Sequence, residues 1–325
     1  MSLIEQAAKR LEELRRAGVE IPGIAATTPE SVSAPAPGNE LPGSAKLQVA
    51  APAHVRRPRG GIGAASSSGD AKNPPADDPR FVHLDLAHIA ARGIITPEAP
   101  RSQVADEFRV IKRPLIVNAI GKGAAPIKHG NLIMVTSALP GEGKSFTAVN
   151  LAMSIAMELD HTVLLVDADV ARPTIPGMLG LPSIRGLLDV LVDDSVELGQ
   201  VMLKTNVEKL SVLLSGTRHP RATELLASET MNRLLEDLAS RYSDRIIVFD
   251  SPPLLVTTEA RVLASHMGQV ILVVEAQKTP QAAVKQALVA IDACPVKLML
   301  LNKDRSASRG GSYGYGYGYG YGYGG

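Results

Sequence analysis

The chain has 325 residues, 45% of them hydrophobic, enough apolar material for one sizeable core, while 29 Gly and 23 Pro indicate that part of it stays outside that core. Lys and Arg number 34 against 33 Asp and Glu, and the formal net charge of +1 excludes a general attraction to nucleic acid or anionic lipid. The lone Cys294 excludes an internal disulfide, the first residues lack a signal peptide's apolar core, and no run approaches the ~18 apolar residues of a membrane span, so a reducing cytosol is expected.

The first predicted element covers residues 1–18, an amphipathic helix within "SLIEQAAKRLEELRRAG". Ile4, Ala7, Leu11 and Leu14 form one stripe and Gly18 is a stop signal. Two heptads are marginal alone, so the helix either frays in water or docks on a partner coiled coil. Residues 19–79 are Pro, Ala, Gly and Ser with few large apolar side chains, the composition of a disordered linker. Its short basic run at Arg56, Arg57 and Arg59 could touch anionic lipid, although three charges there are more often simply solvated.

Periodic segments begin at residue 80 and continue to 304. The apolar runs "LIMVTS", "TVLLVDAD", "KLSVLLSG", "RIIVFDSPP", "QVILVVEA" and "KLMLLNK" suit strands buried on both faces of a parallel sheet. The stretches between them, such as "ATELLASETMNRLLEDLASRYS", suit crossover helices. The expected fold is therefore α/β, a doubly wound and mostly parallel sheet with helices on both faces. Ligands of such sheets bind at the carboxyl ends of the strands, where Asp167, Asp169, Asp250 and Asn302 fall.

"ALPGEGKS" follows the first strand of this set directly and precedes a helical stretch. Strand, glycine-rich loop, Lys-Ser and helix together make a phosphate-binding loop of the P-loop NTPase kind, with Ala138 in place of the first glycine. The expected nucleotide-binding residues are Pro140, Gly141, Glu142, Gly143, Lys144, Ser145 and Phe146, joined by Arg172 and Asn302. Backbone N–H groups converge on phosphate oxygens there, Lys144 neutralises them, and the Ser145 hydroxyl ligates Mg²⁺. Asp167 and Asp250 are the expected carboxylate partners of the metal. Asp167 or Asp169 is the expected general base, and Lys144, Asp167, Asp169 and Asp250 make up the catalytic set. Arg172 could pair bidentately with phosphate, or simply be an exposed surface arginine. The seven histidines show no metal-ligand spacing, and no Gly-x-Ser-x-Gly elbow occurs.

Residues 305–325 close the chain with Tyr313, Tyr315, Tyr317, Tyr319, Tyr321 and Tyr323 on alternate positions between glycines. Read alone, the repeat is either a flexible string of phosphate acceptors or a sticky low-complexity segment.

Together, "SALPGEGKS", "LLVDAD", "VFDSPP", "HPRATELLASETM" and the terminal tyrosines resemble the bacterial tyrosine kinases, P-loop autokinases of capsule and exopolysaccharide loci. The helix start and "DADVARP" are similar to the stand-alone subgroup beside exosortase-linked genes. The resemblance covers Pro97 to Asp304 and the tail. It implies ATP and Mg²⁺ as cofactors, autophosphorylation of the tail, and a separate transmembrane chain-length determinant as partner. It also implies a protein-tyrosine phosphatase as counterpart, no nucleic acid, and a cytoplasmic location held peripherally at the membrane's inner face. The family's ring-forming helix carries Glu, Arg, Arg spaced by three, and Asp106, Arg109 and Lys112 stand at those positions in "DEFRVIKRP". Where the family has an arginine two residues after the second Walker acid, this chain has Ala171, with Arg172 next. Two rival readings are a positioning ATPase of the septum-site or partition type, whose loop carries an additional lysine that is lacking here, and a non-catalytic ATP-binding scaffold of a polysaccharide export complex.

Overall fold

The computed structural model describes residues 78–98, 102–123, 125–241 and 245–304. The expected helix at 1–18, the linker as far as residue 77 and the tyrosine tail lie outside the described residues.

The apolar runs all become strands: β2 (Leu132–Ser137), β3 (Thr162–Asp167), β5 (Leu210–Leu213), β6 (Arg245–Asp250), β7 (Gln269–Glu275) and β8 (Val296–Asn302). Two more, β1 (Phe81–Val82) and β4 (Leu203–Thr205), are too short to stand out as apolar runs. They extend one edge of a single sheet with the order β1-β4-β5-β3-β6-β2-β7-β8. Every neighbouring pair is parallel except β4 with β5. Parallel neighbours need a crossover, and the helices supply it on both faces.

The helices are α1 (Leu86–Ala91), α2 (Gln103–Ala119), α3 (Lys144–Ala156), α4 (Ile175–Leu179), α5 (Leu187–Val192), α6 (Leu198–Val201), α7 (Ala222–Leu226), α8 (Glu229–Arg241), α9 (Glu259–Ser265) and α10 (Gln281–Ala290). Alternate residues of each central strand point to opposite faces, so the core has two layers. On one face Ile133, Val135 and Val248 pack with Leu115 of α2 and Leu151 and Ile155 of α3. On the other, Met134, Leu164 and Phe249 pack with Leu187, Leu235, Leu263 and Ala287.

The stretch "ATELLASETMNRLLEDLASRYS" supplies its crossover as two helices separated at Ser228. The Ser228 hydroxyl donates to the Leu225 carbonyl at 2.7 Å and accepts the Met231 N–H at 3.2 Å, ending one helix and starting the next. Two expectations need correction. Strand β8 is an edge rather than a strand covered on both faces, and its Met299 and Leu301 are 64% and 62% exposed. Finally, Asp106 and Arg109 pair with each other on the exposed side of α2, whereas Lys112 turns inward and is only 3% exposed. A helix advances about 100° per residue, so steps of three drift about 60° each time and carry the third residue off the face of the first. Lys112 instead pins α2 to the end of α3, donating to the Ser154 carbonyl at 2.6 Å and pairing with Glu158 at 2.7 Å.

No helix among the described residues is long and apolar enough to cross a membrane.

Candidate active site

The site lies where β2, β3 and β6 reach their carboxyl ends. Strand β2 delivers the chain to Ser137, the loop runs over residues 138–143, and α3 begins at Lys144. Gly141 and Gly143 adopt φ of +85° and +100°, the left-handed region open to glycine, so the loop can curl back above the helix start. A Cβ on Gly143 would also stand 2.1 Å from the Asn302 amide nitrogen. The following segment fixes the floor: Thr136 Oγ1 donates to the Pro252 carbonyl at 2.8 Å, and Leu254 N–H donates to the Ser137 carbonyl at 2.9 Å.

Sheet register brings the acids together. Asp167 and Asp250 are direct cross-strand partners at the ends of β3 and β6. Lys144 Nζ lies 2.6 Å from Asp169 Oδ2, 3.6 Å from Asp250 Oδ1 and 3.2 Å from Ser145 Oγ. All three carboxylates are buried, Asp167 and Asp250 completely. Burial, joined by the neighbouring Asp250 and Asp169 charges, pushes the Asp167 carboxyl up to about 8. Burial also raises Asp250, to about 6, against the pull of Lys144 and the Ser145 hydroxyl. Burial opposes the charge on Lys144, but the carboxylates of Asp250 and Asp169 outweigh it and hold the ammonium above its ordinary value.

Among the described residues, no donor stands in close hydrogen-bonding geometry to either oxygen of Asp167 or Asp250, and Lys144 Nζ comes only to 3.6 Å from Asp250 Oδ1. Buried carboxylate oxygens without donors are costly, and a hard divalent cation satisfies such atoms. With the Ser145 hydroxyl beside them, this oxygen set fits Mg²⁺. No group of three or more His, Cys, Asp or Glu among the described residues is placed to cage a metal by itself. Mg²⁺ in a phosphate loop needs fewer protein ligands, because phosphate oxygens and water complete its shell.

Above the acids opens a cavity of about 660 Å³ lined by Pro140, Lys144, Phe146, Asp169, Arg172 and Met178, among others. Arg172 is exposed on its wall, and its own N–H donates to Asp169 Oδ1 at 3.1 Å, which fixes the turn after β3. Asp169 reaches this cavity, whereas Asp167 lies beneath it.

Two expected nucleotide residues stand behind the loop. Glu142 is 2% exposed, and its carboxylate accepts the Leu139 N–H at 2.7 Å and the Thr279 hydroxyl. Asn302 donates from Nδ2 to the Glu142 carbonyl at 2.8 Å. Lys303, which sequence reasoning missed along with Thr279, donates to the Gly141 carbonyl at 2.6 Å and pairs with Glu275. No local pattern marks either residue; only the return of β7 and β8 beside the loop brings them there. The six tail tyrosines lie outside the described residues.

The protein family described as an AAA domain matches residues 130–302. The chain is 32% identical over 224 residues to the tyrosine-protein kinase YwqD of Bacillus subtilis (strain 168), covering 69% of this chain and 90% of that one. It is 31% identical over 191 residues to the tyrosine-protein kinase CpsD of Streptococcus agalactiae, covering 58% and 82%. Among solved structures, the chimerical protein CapA2B2 is similar with a TM-score of 0.54 at 27% identity, over 67% of this chain and 92% of that one. The BceF tyrosine kinase domain is similar with a TM-score of 0.54 at 26% identity, over 66% and 86%.

Proposed function

The chain belongs to the bacterial tyrosine-protein kinases, and from that premise we propose that it is an autokinase whose acceptors are the six tail tyrosines, Tyr313 to Tyr323. The observation that carries this reading is Lys144 drawn between buried Asp169 and Asp250 at the start of α3, beneath a phosphate loop and beside an open cavity.

In this reading the N–H groups of residues 141–145 and the amino end of α3 hold the nucleotide phosphates. Lys144 leaves Asp169 to meet the β and γ oxygens. Ser145, Asp167 and Asp250 would hold Mg²⁺, which supplies charge neutralisation of the transferring phosphoryl group. Asp169, freed of Lys144 and facing the cavity, takes the proton from the tyrosine Oη as that oxygen bonds to the γ phosphorus and the bridging oxygen departs with ADP. Asn302, Lys303 and Glu142 keep the loop's shape from behind.

Phosphorylation between subunits is the arrangement we favour, since the 21 residues after Asp304, fully extended, would reach on the order of 70 Å, enough for an adjacent subunit. Asp106 and Arg109 remain on an exposed face for self-association. The resemblance to exopolysaccharide-locus kinases supports a membrane-embedded chain-length determinant as partner and a phosphatase as counterpart. Intact mass after incubation with Mg²⁺-ATP tests the reading. The expected result is up to six added phosphates in the wild type, and none in Lys144→Met or in a chain truncated after Arg309. Phosphate added to the truncated chain, or to Lys144→Met at the wild-type rate, would sink it.

A further inference from the structure

A second cavity, of about 780 Å³, opens at the carboxyl edge of the sheet beside the active site. Helix α4 is the partition between the two. Its Met178, with Thr174 just before it, lines the active-site cavity, whereas Pro176 and Gly177 line the second. The partition is braced from outside, because Arg92 Nη1 donates to the Gly177 carbonyl at 2.6 Å. The opposite wall, residues 214–218 after β5, is braced by Asp189, whose Oδ2 accepts the N–H groups of Gly186 at 2.8 Å and Thr217 at 2.9 Å. Both walls are thus fixed before any ligand arrives.

Two exposed arginines, Arg185 and Arg218, line this groove. Arg218 makes no hydrogen bond or ion pair with another described residue. Arg185 acts on Asp189 and Asp193 only through its charge. Pro173, Leu181 and Ile184 add apolar surface between the charges. Apolar side chains beside exposed guanidinium groups, which also border Asp189 and Asp193 on their far side, suit a flat ring that ends in a dianion. Guanidinium binds phosphate bidentately, and phosphotyrosine presents about −1.5 to −2 charges on three acceptor oxygens.

We propose that this groove receives a phosphorylated tyrosine from the tail of a second copy while another tyrosine of the same tail occupies the neighbouring active site. The proposal rests on the reading of the tail as acceptor. Its spacing agrees with the repeat: a helix with side chains is about 10–12 Å across, and tyrosines four residues apart on an extended chain are separated by about 13 Å. One tail can therefore straddle α4. A phosphate already added then helps to seat the next acceptor, so modified tails gather further phosphates ahead of unmodified ones.

The test is fluorescence anisotropy with the unphosphorylated full chain in EDTA, which prevents transfer. One labelled peptide is Gly-Tyr-Gly-Tyr-Gly-Tyr-Gly with its first tyrosine synthesised as phosphotyrosine, and the other is its unmodified twin. The phosphopeptide should bind at least 10-fold more tightly, the preference should fall within 2-fold in Arg185→Gln/Arg218→Gln, and Arg218→Glu alone should abolish it. Equal affinities in the wild type, or a preference that survives these substitutions, overturn the proposal. Because the phosphate is placed by synthesis, failure of the chain to phosphorylate its own tail would refute the function proposed above without touching this result.

Discussion

The acids at the ends of β3 and β6 are held in a form that suits a ligand better than the fold. Asp167 titrates higher in the folded chain, near 8, than the ~3.9 of an unfolded aspartate. Its ionisation therefore works against folding, with no penalty below about pH 4 and a growing one as pH rises toward 8. In EDTA, Asp167→Asn should stabilise the ligand-free protein by about 2 kcal/mol at pH 8 and hardly at all at pH 4.5. Thermal melting at both pH values checks this, and equal effects at the two would contradict it. Gly143→Ala should act in the opposite sense. Its φ of +100° and the approach of Asn302 to 2.1 Å from the new Cβ predict a loss of about 1–3 kcal/mol and weaker ATP binding, measurable by calorimetry. These residues were legible in the sequence because a phosphate loop and strand-end aspartates are local patterns. The backing of the loop by Thr279 and Lys303 was not, since it depends on contacts across more than 130 residues.

At the scale of elements, β2, β3, β5, β6 and β7 announced themselves because a strand buried on both faces must be apolar throughout, whereas β8 showed as an apolar run although it is a half-exposed edge. The short β1 and β4 bury too little to leave a signature. The break between α7 and α8 was hidden because Ser228 sits in an otherwise helical pattern, and only its two hydrogen bonds reveal a boundary. Ser228→Ala should cost about 1 kcal/mol, as loss of a helix cap does, in urea unfolding. The tie between α2 and α3 carries a pH signature of its own. The bond from Lys112 holds the Glu158 carboxyl below its ordinary range, a folded value lower than the unfolded one. Its stabilisation is present above the unfolded value near pH 4.3 and vanishes as pH falls through the folded value. Glu158→Gln should therefore cost about 1–2 kcal/mol at pH 7, with the gap to wild type closing toward pH 3. A gap of the same size at both pH values would mean that the ion pair is not its source.

At the scale of the whole molecule, the doubly wound sheet brings the loop before Lys144 together with Asp167, Asp169 and Asp250 at one edge. Steps of three drift around α2, and that drift turned Lys112, one of three expected contact residues, into the core. Transfer between subunits predicts that the initial rate per molecule rises with protein concentration before levelling off. A rate per molecule that is flat on dilution through the nanomolar range would instead place donor and acceptor in one chain.

Lys303 grips the Gly141 carbonyl, so the tail is rooted at the mouth of its own phosphate loop. Tyr313 follows ten residues later in the sequence. If the tail tyrosines are the acceptors and the link is flexible, a spacing of that length would give a tethered hydroxyl an effective concentration on the order of millimolar. On the proposal that the tail tyrosines are the acceptors, tails gathered in an assembly would compete with any peptide offered to its clefts from solution. Apparent KM values measured on the intact chain would then describe that contest more than recognition, and substrate preferences are best compared on chains whose tail tyrosines are phenylalanine.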